Sequence, residues 1–174
     1  MERENDTDSK ASSGGGLELR LDSDLDGLDR RLLSRLMRDG RASWADLAHD
    51  LQLTAPAIAQ RVRRLQDRGV IRHFAAWVEP QVLAPVGAYV TVRFTGPDQR
   101  AAFHERIIAL EAVQECSHLA GVDDYLLKVR CGSLEELRLL VSDTLPRIPG
   151  VTRARASVVL SSIKDTPVLP VPPA

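Results

Sequence analysis

Hydrophobic residues recur at helical spacing along the first part of the chain. Between Leu25 and Gly40 the leucines fall on one face of an amphipathic helix, and Asp26 is a suitable N-cap for it. A second helix is predicted to begin after Ser43 and a third after Thr54. The apolar positions that we expect to form one small core between these helices are Leu28, Leu32, Leu33, Leu36, Leu47, Ala48, Leu51, Ile58, Val62 and Leu65.

A tight turn joins the second and third predicted helices. Asp46 follows the Ser43 cap by three residues, and Pro56 falls in the first turn of the third helix, where its missing N–H costs nothing. Gly69 ends that helix. Gln52 lies in the turn itself, where many helix-turn-helix motifs use glycine. If the turn needs a positive φ, the backbone of Gln52 is strained there.

After Gly69 the hydrophobic period becomes strand-like. Residues 70–78 are β-prone and are predicted to form a linking strand, and Pro80 and Pro85 mark a loop. The elements predicted after that loop are strand 88–94, helix 98–110, strand 113–119, strand 125–131, helix 133–145 and strand 151–160. The order βαββαβ gives an antiparallel four-stranded sheet with both helices on one face. A second copy of the sheet is the simplest cover for the bare face, so the topology predicts a homodimer.

The chain is therefore predicted to be an α+β protein. An N-terminal helix-turn-helix domain, winged-helix-like, precedes a C-terminal ferredoxin-like βαββαβ sandwich that dimerises. The polar, Gly- and Ser-rich start of the chain cannot bury enough apolar surface to order itself. The predicted boundaries are a disordered acidic tail at 1–22, the helix-turn-helix domain at 23–72, a linker strand and loop at 73–85, the αβ domain at 86–164 and a proline-rich tail at 165–174.

Charge is distributed unevenly along the 174 residues, although the net charge is only -1. Residues 1–24 hold 3 basic and 7 acidic side chains, whereas residues 25–74 hold 10 basic and 6 acidic ones. The positive charge is thus concentrated in the segment with the paired-helix pattern. That distribution is typical of a nucleic-acid-binding module attached to a neutral partner domain.

Several other classes of protein are disfavoured by what the sequence lacks. Cys116 and Cys131 are too few for a disulfide framework and have no metal-ligand spacing around them, so we expect two buried free thiols. The sequence shows no apolar run of membrane-spanning length and no signal peptide, which favours a cytoplasmic protein. We also find no catalytic Ser/His/Asp set, phosphate-binding glycine loop or metal cluster. We therefore expect a non-enzymatic protein without a cofactor.

The third predicted helix has the residue types that suit a DNA major groove. Gln60 can bond an adenine edge, and Arg61 or Arg64 can reach guanine or phosphate. Arg63, Arg64 and Arg68 are better placed for phosphates, which set affinity rather than sequence preference. The alternative is a solvated basic helix in some other small bundle. The candidate contacts to double-stranded DNA are Ser43, Thr54, Ala55, Pro56, Ala57, Gln60, Arg61, Arg63, Arg64, Arg68 and Arg72.

The loop Ala120–Tyr125, with the sequence AGVDDY, is a candidate ligand site between two central strands. Gly121 allows close backbone approach to a ligand, and Asp123 and Asp124 can accept hydrogen bonds from an amino group. A plain hairpin turn with solvated carboxylates is the alternative. His118 precedes the loop, and a packed or solvated histidine is the alternative to a ligand-binding one there.

These segments together resemble the Lrp/AsnC (feast/famine) transcription regulators over about residues 25–164. The matching segments are LDGLDRRLLSRLMRDGRASWADLA (25–48), LTAPAIAQRVRRLQDRGVI (53–71), AGVDDYLLKV (120–129) and PGVTRARASVVLSSIK (149–164). The resemblance implies DNA-binding regulators that dimerise and assemble into octamers or other higher oligomers. It also implies a small effector, usually an amino acid, bound between dimers near the loop glycine and aspartate, here Gly121 and Asp124.

The sequence departs from the family pattern at hydroxyl-bearing positions. Ala120 stands where the family usually has threonine before the glycine, and Ala154 and Ala156 replace two threonines of the last strand. Those hydroxyls suit a polar ligand, so the effector here is expected to differ or to be absent. The candidate effector-binding residues are His118, Ala120, Gly121, Asp123, Asp124, Tyr125 and Ser157.

Two other functions are compatible with the same sequence pattern. Siroheme decarboxylases look similar to this family, and in an enzyme of that kind Arg72, His73 and His118 would hold substrate carboxylates. Alternatively, the chain is a sensing module whose helices dock onto a partner protein. As a regulator, a dimer would place two copies of the third helix about one DNA turn apart, or a multiple of it, on a pseudo-palindromic site.

Overall fold

The computed structural model describes residues 25–121 and 124–171. They form two compact units. One comprises residues 25–74 together with residues 168–171. The other runs from Ala75 to Pro167. The predicted tail 1–22 lies outside the described residues, as does Asp123. Among the described residues, none of the helices is long and apolar enough to cross a membrane.

The first unit consists of three helices: α1 (Gly27–Arg38), α2 (Trp44–Leu51) and α3 (Ala55–Asp67). Asp26, Ser43 and Thr54 cap them, and each side chain accepts a hydrogen bond from the backbone N–H three residues later. Each cap satisfies one of the free N–H groups of a helix start. The three predicted caps are thus confirmed.

The turn between α2 and α3 has the strained backbone expected from its sequence. Gln52 has φ 56° and ψ 45°, and no other non-glycine residue in the described chain has a positive φ. Its N–H donates to the carbonyl of His49, and the Leu53 N–H donates to that of Ala48. This pairing satisfies the last carbonyls of α2 and turns the chain into α3. The buried core of the unit is Leu32, Leu36, Leu47, Ala48, Leu51, Ile58, Val62 and Leu65.

The prediction of a strand at residues 70–78 is wrong. No strand forms there, residues 72–79 are exposed, and the expected loop contains a short helix, α4 (Pro80–Leu83). Consequently the described residues form no wing after α3. β-prone side chains favour a strand only where a neighbouring strand pairs with the backbone, and this segment has no such neighbour in the described chain.

The second unit has the predicted βαββαβ order. Its elements are β1 (Val86–Phe94), α5 (Arg100–Ile108), β2 (Val113–His118), β3 (Tyr125–Cys131), α6 (Leu134–Leu139) and β4 (Val151–Val158). The strands form one antiparallel sheet in the order β2-β3-β1-β4, which confirms the α+β fold with a ferredoxin-like sandwich. Phe103 and Ile107 of α5 and Leu137 of α6 belong to the same core cluster as the strands, so both helices cover one face.

The last predicted helix changes character after Leu139. A π-helical turn spans Leu140–Thr144, and a 3₁₀ turn follows at Leu145–Arg147. Pro146 lies in the 3₁₀ turn and has no N–H to donate to the preceding turn, and its ring crowds the carbonyl four residues earlier. A regular α-helix therefore cannot continue through this position, although the sequence period does.

The other face of the sheet is polar and charged. Along β1, Val90 and Val92 are buried in the core while Tyr89, pointing to the opposite side, is 45% exposed. The register places Tyr89 between Lys128 of β3 and Ser157 of β4. The residues of this open face are Tyr89, Thr91, Arg93, Leu126, Lys128, Arg130, Arg153, Arg155 and Ser157.

The two cysteines are free, but only one of them is buried. Cys131 lies in the core, whereas Cys116 is exposed, which corrects the prediction of two buried thiols. Cys116 belongs to β2, which is an edge strand of the sheet, and five of the six residues of that strand are exposed. An alternating strand pattern alone does not distinguish an edge strand from a central one.

Candidate functional site

The start of α3 presents small side chains. Ala55, Pro56 and Ala57 form its first turn, and the Thr54 hydroxyl accepts a hydrogen bond from the Ala57 N–H at 3.3 Å. Pro56 is exposed, and the two alanines are half-buried. Small residues at this end let a helix backbone approach a groove closely, as the DNA-reading helix of a helix-turn-helix does.

One exposed stripe runs along α3 from this first turn. Pro56, Gln60 and Arg63 are exposed and lie on successive turns of the same side. Within the described residues, no hydrogen bond or ion pair occupies the side chain of Gln60 or Arg63. We call these three residues the outer stripe. Its amide and guanidinium groups can bond base edges or phosphates.

A second side of α3 is held against α1 by ion pairs that the sequence analysis missed. Arg61 Nη1 lies 2.7 Å from Asp29 Oδ1 and 2.7 Å from Asp26 Oδ2. Arg64 Nη2 lies 2.7 Å from Asp29 Oδ2. The Asp29 side chain is 0% exposed, and no other charged residue in the described chain is buried. We call Asp26, Asp29, Arg61 and Arg64 the α1–α3 clamp.

The clamp shifts the pKa values of Asp26 and Arg61. Hydrogen bonds to Asp26 and Asp29 raise the pKa of the Arg61 guanidinium. Partial burial alone would raise the pKa of Asp26, but the Asp29 N–H and the Arg61 guanidinium outweigh it and lower that pKa below its ordinary value. Asp26 and Arg61 are therefore both charged at neutral pH. The sequence did hold a signal for the clamp, since Asp29 lies in register with the buried Leu32 and Leu36.

The remaining DNA-binding candidates differ in how free their side chains are. The Ser43 hydroxyl donates to Asp46 Oδ2 at 2.6 Å and accepts from the Asp46 N–H at 3.1 Å. Capping of α2 thus occupies it. Arg68 caps the end of α3, and Arg72 is exposed after the helix. The three arginines within α3 are thus divided: Arg63 lies on the outer stripe, whereas Arg61 and Arg64 belong to the clamp.

Asp124 holds the Ala120–Tyr125 loop, the predicted effector site, to the end of β1. Its Oδ2 accepts a hydrogen bond from the Phe94 N–H at 2.7 Å, and its own N–H donates to the Val92 carbonyl. Ala120 and Gly121 of the same loop are exposed. Asp124 therefore has a structural role that the sequence analysis did not foresee.

Tyr125 is a core residue rather than an exposed one. Its side chain is 2% exposed, and its hydroxyl shares a hydrogen bond of 3.1 Å with His104 Nε2. The His118 ring stacks on the Tyr125 ring with centroids 4.8 Å apart and an interplanar angle of 28°. Burial raises the pKa of the Tyr125 phenol, and the positive charge of Arg100 opposes that rise only partly. The phenol is therefore neutral at physiological pH.

A single chain does not bring the effector candidates into one pocket. His118 pairs with Tyr125 on the helix-covered side of the sheet, whereas Ser157 pairs with Tyr89 on the open face. The alternation of side chains along the strands thus places His118 and Ser157, two predicted effector-binding residues, on opposite faces of the sheet. Among the described residues, no group of three or more His, Cys, Asp or Glu side chains could hold a metal ion.

Two protein-family models match the two units of the chain. The AsnC-type helix-turn-helix domain matches residues 25–66, which include α1, α2 and nearly all of α3. The Lrp/AsnC ligand binding domain matches residues 87–169, which include the whole βαββαβ unit apart from the first residue of β1. The helix-turn-helix predicted from the hydrophobic pattern is thereby confirmed.

Curated relatives match over most of their length. The leucine-responsive regulatory protein of Haemophilus influenzae is 37% identical over 153 residues, which cover 86% of this chain and 92% of that protein. The protein of the same name from Escherichia coli K12 is 36% identical over 82% of this chain and 89% of its own length.

Solved structures of similar fold also belong to proteins named as regulators. A transcriptional regulator of Neisseria meningitidis, crystallised as a complex with L-Met, has a TM-score of 0.78 and 31% identity. It covers 84% of this chain and 96% of its own. The leucine response regulatory protein of Mycobacterium tuberculosis has a TM-score of 0.75 and 30% identity over 85% of this chain and all of its own.

These matches decide between the functions left open by the sequence. The relatives are named as transcription regulators, and nothing among them supports a siroheme decarboxylase or a helical module that only docks onto a protein. The chain is a regulator and not an enzyme. It belongs to the Lrp/AsnC family of DNA-binding transcription regulators, with an AsnC-type helix-turn-helix and an Lrp/AsnC ligand binding domain.

Proposed function

We propose that this protein reads double-stranded DNA with the outer stripe of α3. The observation that carries the proposal is the exposed pair Gln60 and Arg63 on the turn after Pro56, beside a first turn of small residues. A glutamine amide suits an adenine edge, and an arginine suits guanine or phosphate. Thr54, Ala55, Ala57, Arg68 and Arg72 flank this stripe and would add backbone contacts.

A homodimer is proposed as the working unit. The open face of the sheet carries Tyr89, 45% exposed, and a second copy of the same sheet would cover it. Two copies of α3 would then lie about one DNA turn apart, or a multiple of it, on a pseudo-palindromic site. Assembly of dimers into octamers or other higher oligomers would let one particle bend DNA. We place this activity in the cytoplasm, on the nucleoid.

A small effector is proposed to tune DNA binding. An amino acid or a related metabolite is the ligand class that the L-Met complex of the Neisseria regulator supports. Because His118 and Ser157 lie on opposite faces of one sheet, a complete site needs residues from another copy. The loop residues Ala120, Gly121, Asp123 and Asp124, together with Tyr125, would contribute one wall.

The first test is a mobility shift with the full-length protein and two duplexes. One duplex carries the DNA upstream of the protein's own coding sequence, and the other has the same bases scrambled. Both are titrated over a salt series, with and without a mixture of the twenty amino acids. We expect salt-sensitive binding, because phosphate contacts release counterions. Failure to bind either duplex at low salt would contradict DNA reading, and indifference to the mixture would contradict an amino-acid effector.

A further inference from the structure

We propose that Asp29 is a positioning residue of the DNA interface. By holding Arg61 and Arg64 against α1, it fixes the rotation of α3 about its axis, so that Gln60 and Arg63 face the DNA. Arg61 is thereby assigned to the fold and not to DNA contact. This proposal rests on the proposed function and assigns roles within the same site.

Each carboxylate oxygen of Asp29 accepts a hydrogen bond from a different arginine of α3. Oδ1 takes Arg61 Nη1 and Oδ2 takes Arg64 Nη2, each at 2.7 Å. Asp26 Oδ2 takes the same Arg61 nitrogen at 2.7 Å. Hydrogen bonds between charged partners at this length are the strong ones in proteins. Two charged pairs to one carboxylate fix both the axial position and the rotation of α3.

Burial makes the clamp hard to open. A buried carboxylate is costly unless it is paired, so movement of Arg61 toward DNA would leave Asp29 Oδ1 buried without this charged partner. The Arg61 side chain is only 23% exposed, whereas that of Arg64 is 49% exposed. Arg64 can therefore stay clamped and still offer its outer nitrogens to a phosphate. Arg61 is the member whose role distinguishes a clamp from a DNA contact.

Helix geometry separates the clamp side from the outer stripe. Successive residues of an α-helix are rotated by about 100°, so the stripe through Gln60 and Arg63 lies about 100° around the axis from the one through Arg61 and Arg64. If the second pair faces α1, the first pair lies to the side of that contact and remains exposed. The clamp thus determines which side of α3 is presented.

The decisive comparison is between Arg61→Gln and Arg63→Gln. The substitutions are chemically identical and lie two residues apart on α3, so each is the matched control of the other. The melting temperature is measured first, and then the dependence of DNA affinity on salt for a bound duplex and its scrambled version. We expect Arg61→Gln to lower the melting temperature. At temperatures where the variant is folded, the dependence of its DNA affinity on salt should keep the wild-type slope.

For Arg63→Gln we expect the reverse result. The melting temperature stays at the wild-type value. The salt slope falls by about 0.9 for each bound protomer, which loses one phosphate contact, or discrimination against the scrambled duplex falls about tenfold. An Arg61→Gln protein with unchanged melting temperature and a slope reduced by about 0.9 per bound protomer would overturn the proposal.

Asp29→Asn is the second variant, and it keeps the proposal testable if Arg61→Gln does not fold. Asparagine keeps the shape of the side chain but removes the charge that retains both arginines. We expect a steeper salt slope, since the released arginines reach phosphates, and weaker discrimination between the two duplexes. A lower melting temperature with slope and discrimination unchanged would mean that Asp29 only stabilises the fold. Wild-type protein that binds no duplex at low salt would instead overturn the proposed function and this proposal with it.

Discussion

Asp124 Oδ2 accepts a hydrogen bond of 2.7 Å from the backbone N–H of Phe94, across 30 residues of sequence. The same residue donates its own N–H to the Val92 carbonyl. Together these bonds fasten the predicted effector loop to the last residues of β1. A ligand that binds the Asp124 carboxylate would therefore interact with a group that is hydrogen-bonded to β1 as well as with the loop.

Substitution of Asp124 separates its structural role from ligand binding. Asp124→Asn keeps an oxygen that can accept from the Phe94 N–H, so stability should be nearly unchanged while affinity for an amino group falls. Asp124→Ala loses that acceptor as well and should destabilise the unit by about 1–3 kcal/mol. Thermal melts and calorimetry with any amino acid that alters DNA binding make the comparison. An Asp124→Asn protein with wild-type effector affinity would show that Asp124 is not a ligand.

Replacing Gln52 with glycine should stabilise the helical unit. A left-handed backbone costs a non-glycine residue about 1–2 kcal/mol, and glycine removes this strain. Part of the resulting gain in stability is lost because glycine has more conformational freedom in the unfolded chain. We expect a net gain of about 1 kcal/mol in the free energy of unfolding. Gln66→Gly, in the right-handed last turn of α3, is the control and should cost up to about 1 kcal/mol. Chemical denaturation measures both, and destabilisation by Gln52→Gly would refute the strain argument.

Gly150 and Gly69 both have a positive φ but differ in their surroundings. At Gly150, with φ +90°, an added Cβ would lie 2.7 Å from Phe94 Cζ and 2.9 Å from the Thr95 carbonyl oxygen. At Gly69, with φ +71°, no atom beyond the glycine and its chain neighbours lies within 4 Å of an added Cβ. Gly69→Ala should therefore cost only the backbone strain, about 1–2 kcal/mol. Gly150→Ala should cost clearly more, which thermal melts will show. Equal losses would mean that packing against Phe94 does not constrain the turn.

The clamp gives folding stability a defined dependence on acid. The pKa of Asp26 is lowered in the folded protein, so its contribution is present above the unfolded pKa and is lost as the pH falls through the folded value. Asp26→Asn keeps a good helix cap but removes the charge. We expect it to be less stable than wild type at pH 7, and we expect this difference in stability to begin to shrink as the pH falls below about 4.

A surface pair in the other unit provides the control for this measurement. The hydrogen bond from Arg138 also lowers the pKa of Glu135, but both side chains are more than half exposed. Glu135→Gln should therefore change stability little at any pH. Unfolding curves from pH 2 to pH 8 on the two variants test the assignment. An Asp26→Asn deficit that persists at the acidic end would show that the charge is not its cause.

Features set by nearby residues were predictable from the sequence, whereas features set by distant contacts were not. The caps Ser43 and Thr54 depend on a side chain and an N–H three residues away, and the positive φ of Gln52 follows from the short turn. The clamp depends on residues 32 and 35 positions apart. A charge on an apolar stripe was its only local sign.

The αβ unit shows the same division. Alternation placed β3 correctly at Tyr125–Cys131, but the failed strand at 70–78 depends on whether a neighbour exists, which alternation does not report. The separation of His118 from Ser157 likewise depends on strand register. Consequently the DNA-reading helix was predictable in outline, and a complete effector site was not.

The most direct test of the account is selection of DNA by the full-length protein from a pool of random duplexes. If two copies of α3 read DNA from a symmetric dimer, the recovered sequences will share a pseudo-palindrome whose half-site centres lie about 10 bp apart, or a multiple of that. Recovery of a single unrepeated half-site would contradict the dimeric arrangement. Recovery of no shared sequence at all would contradict sequence reading by Gln60 and Arg63.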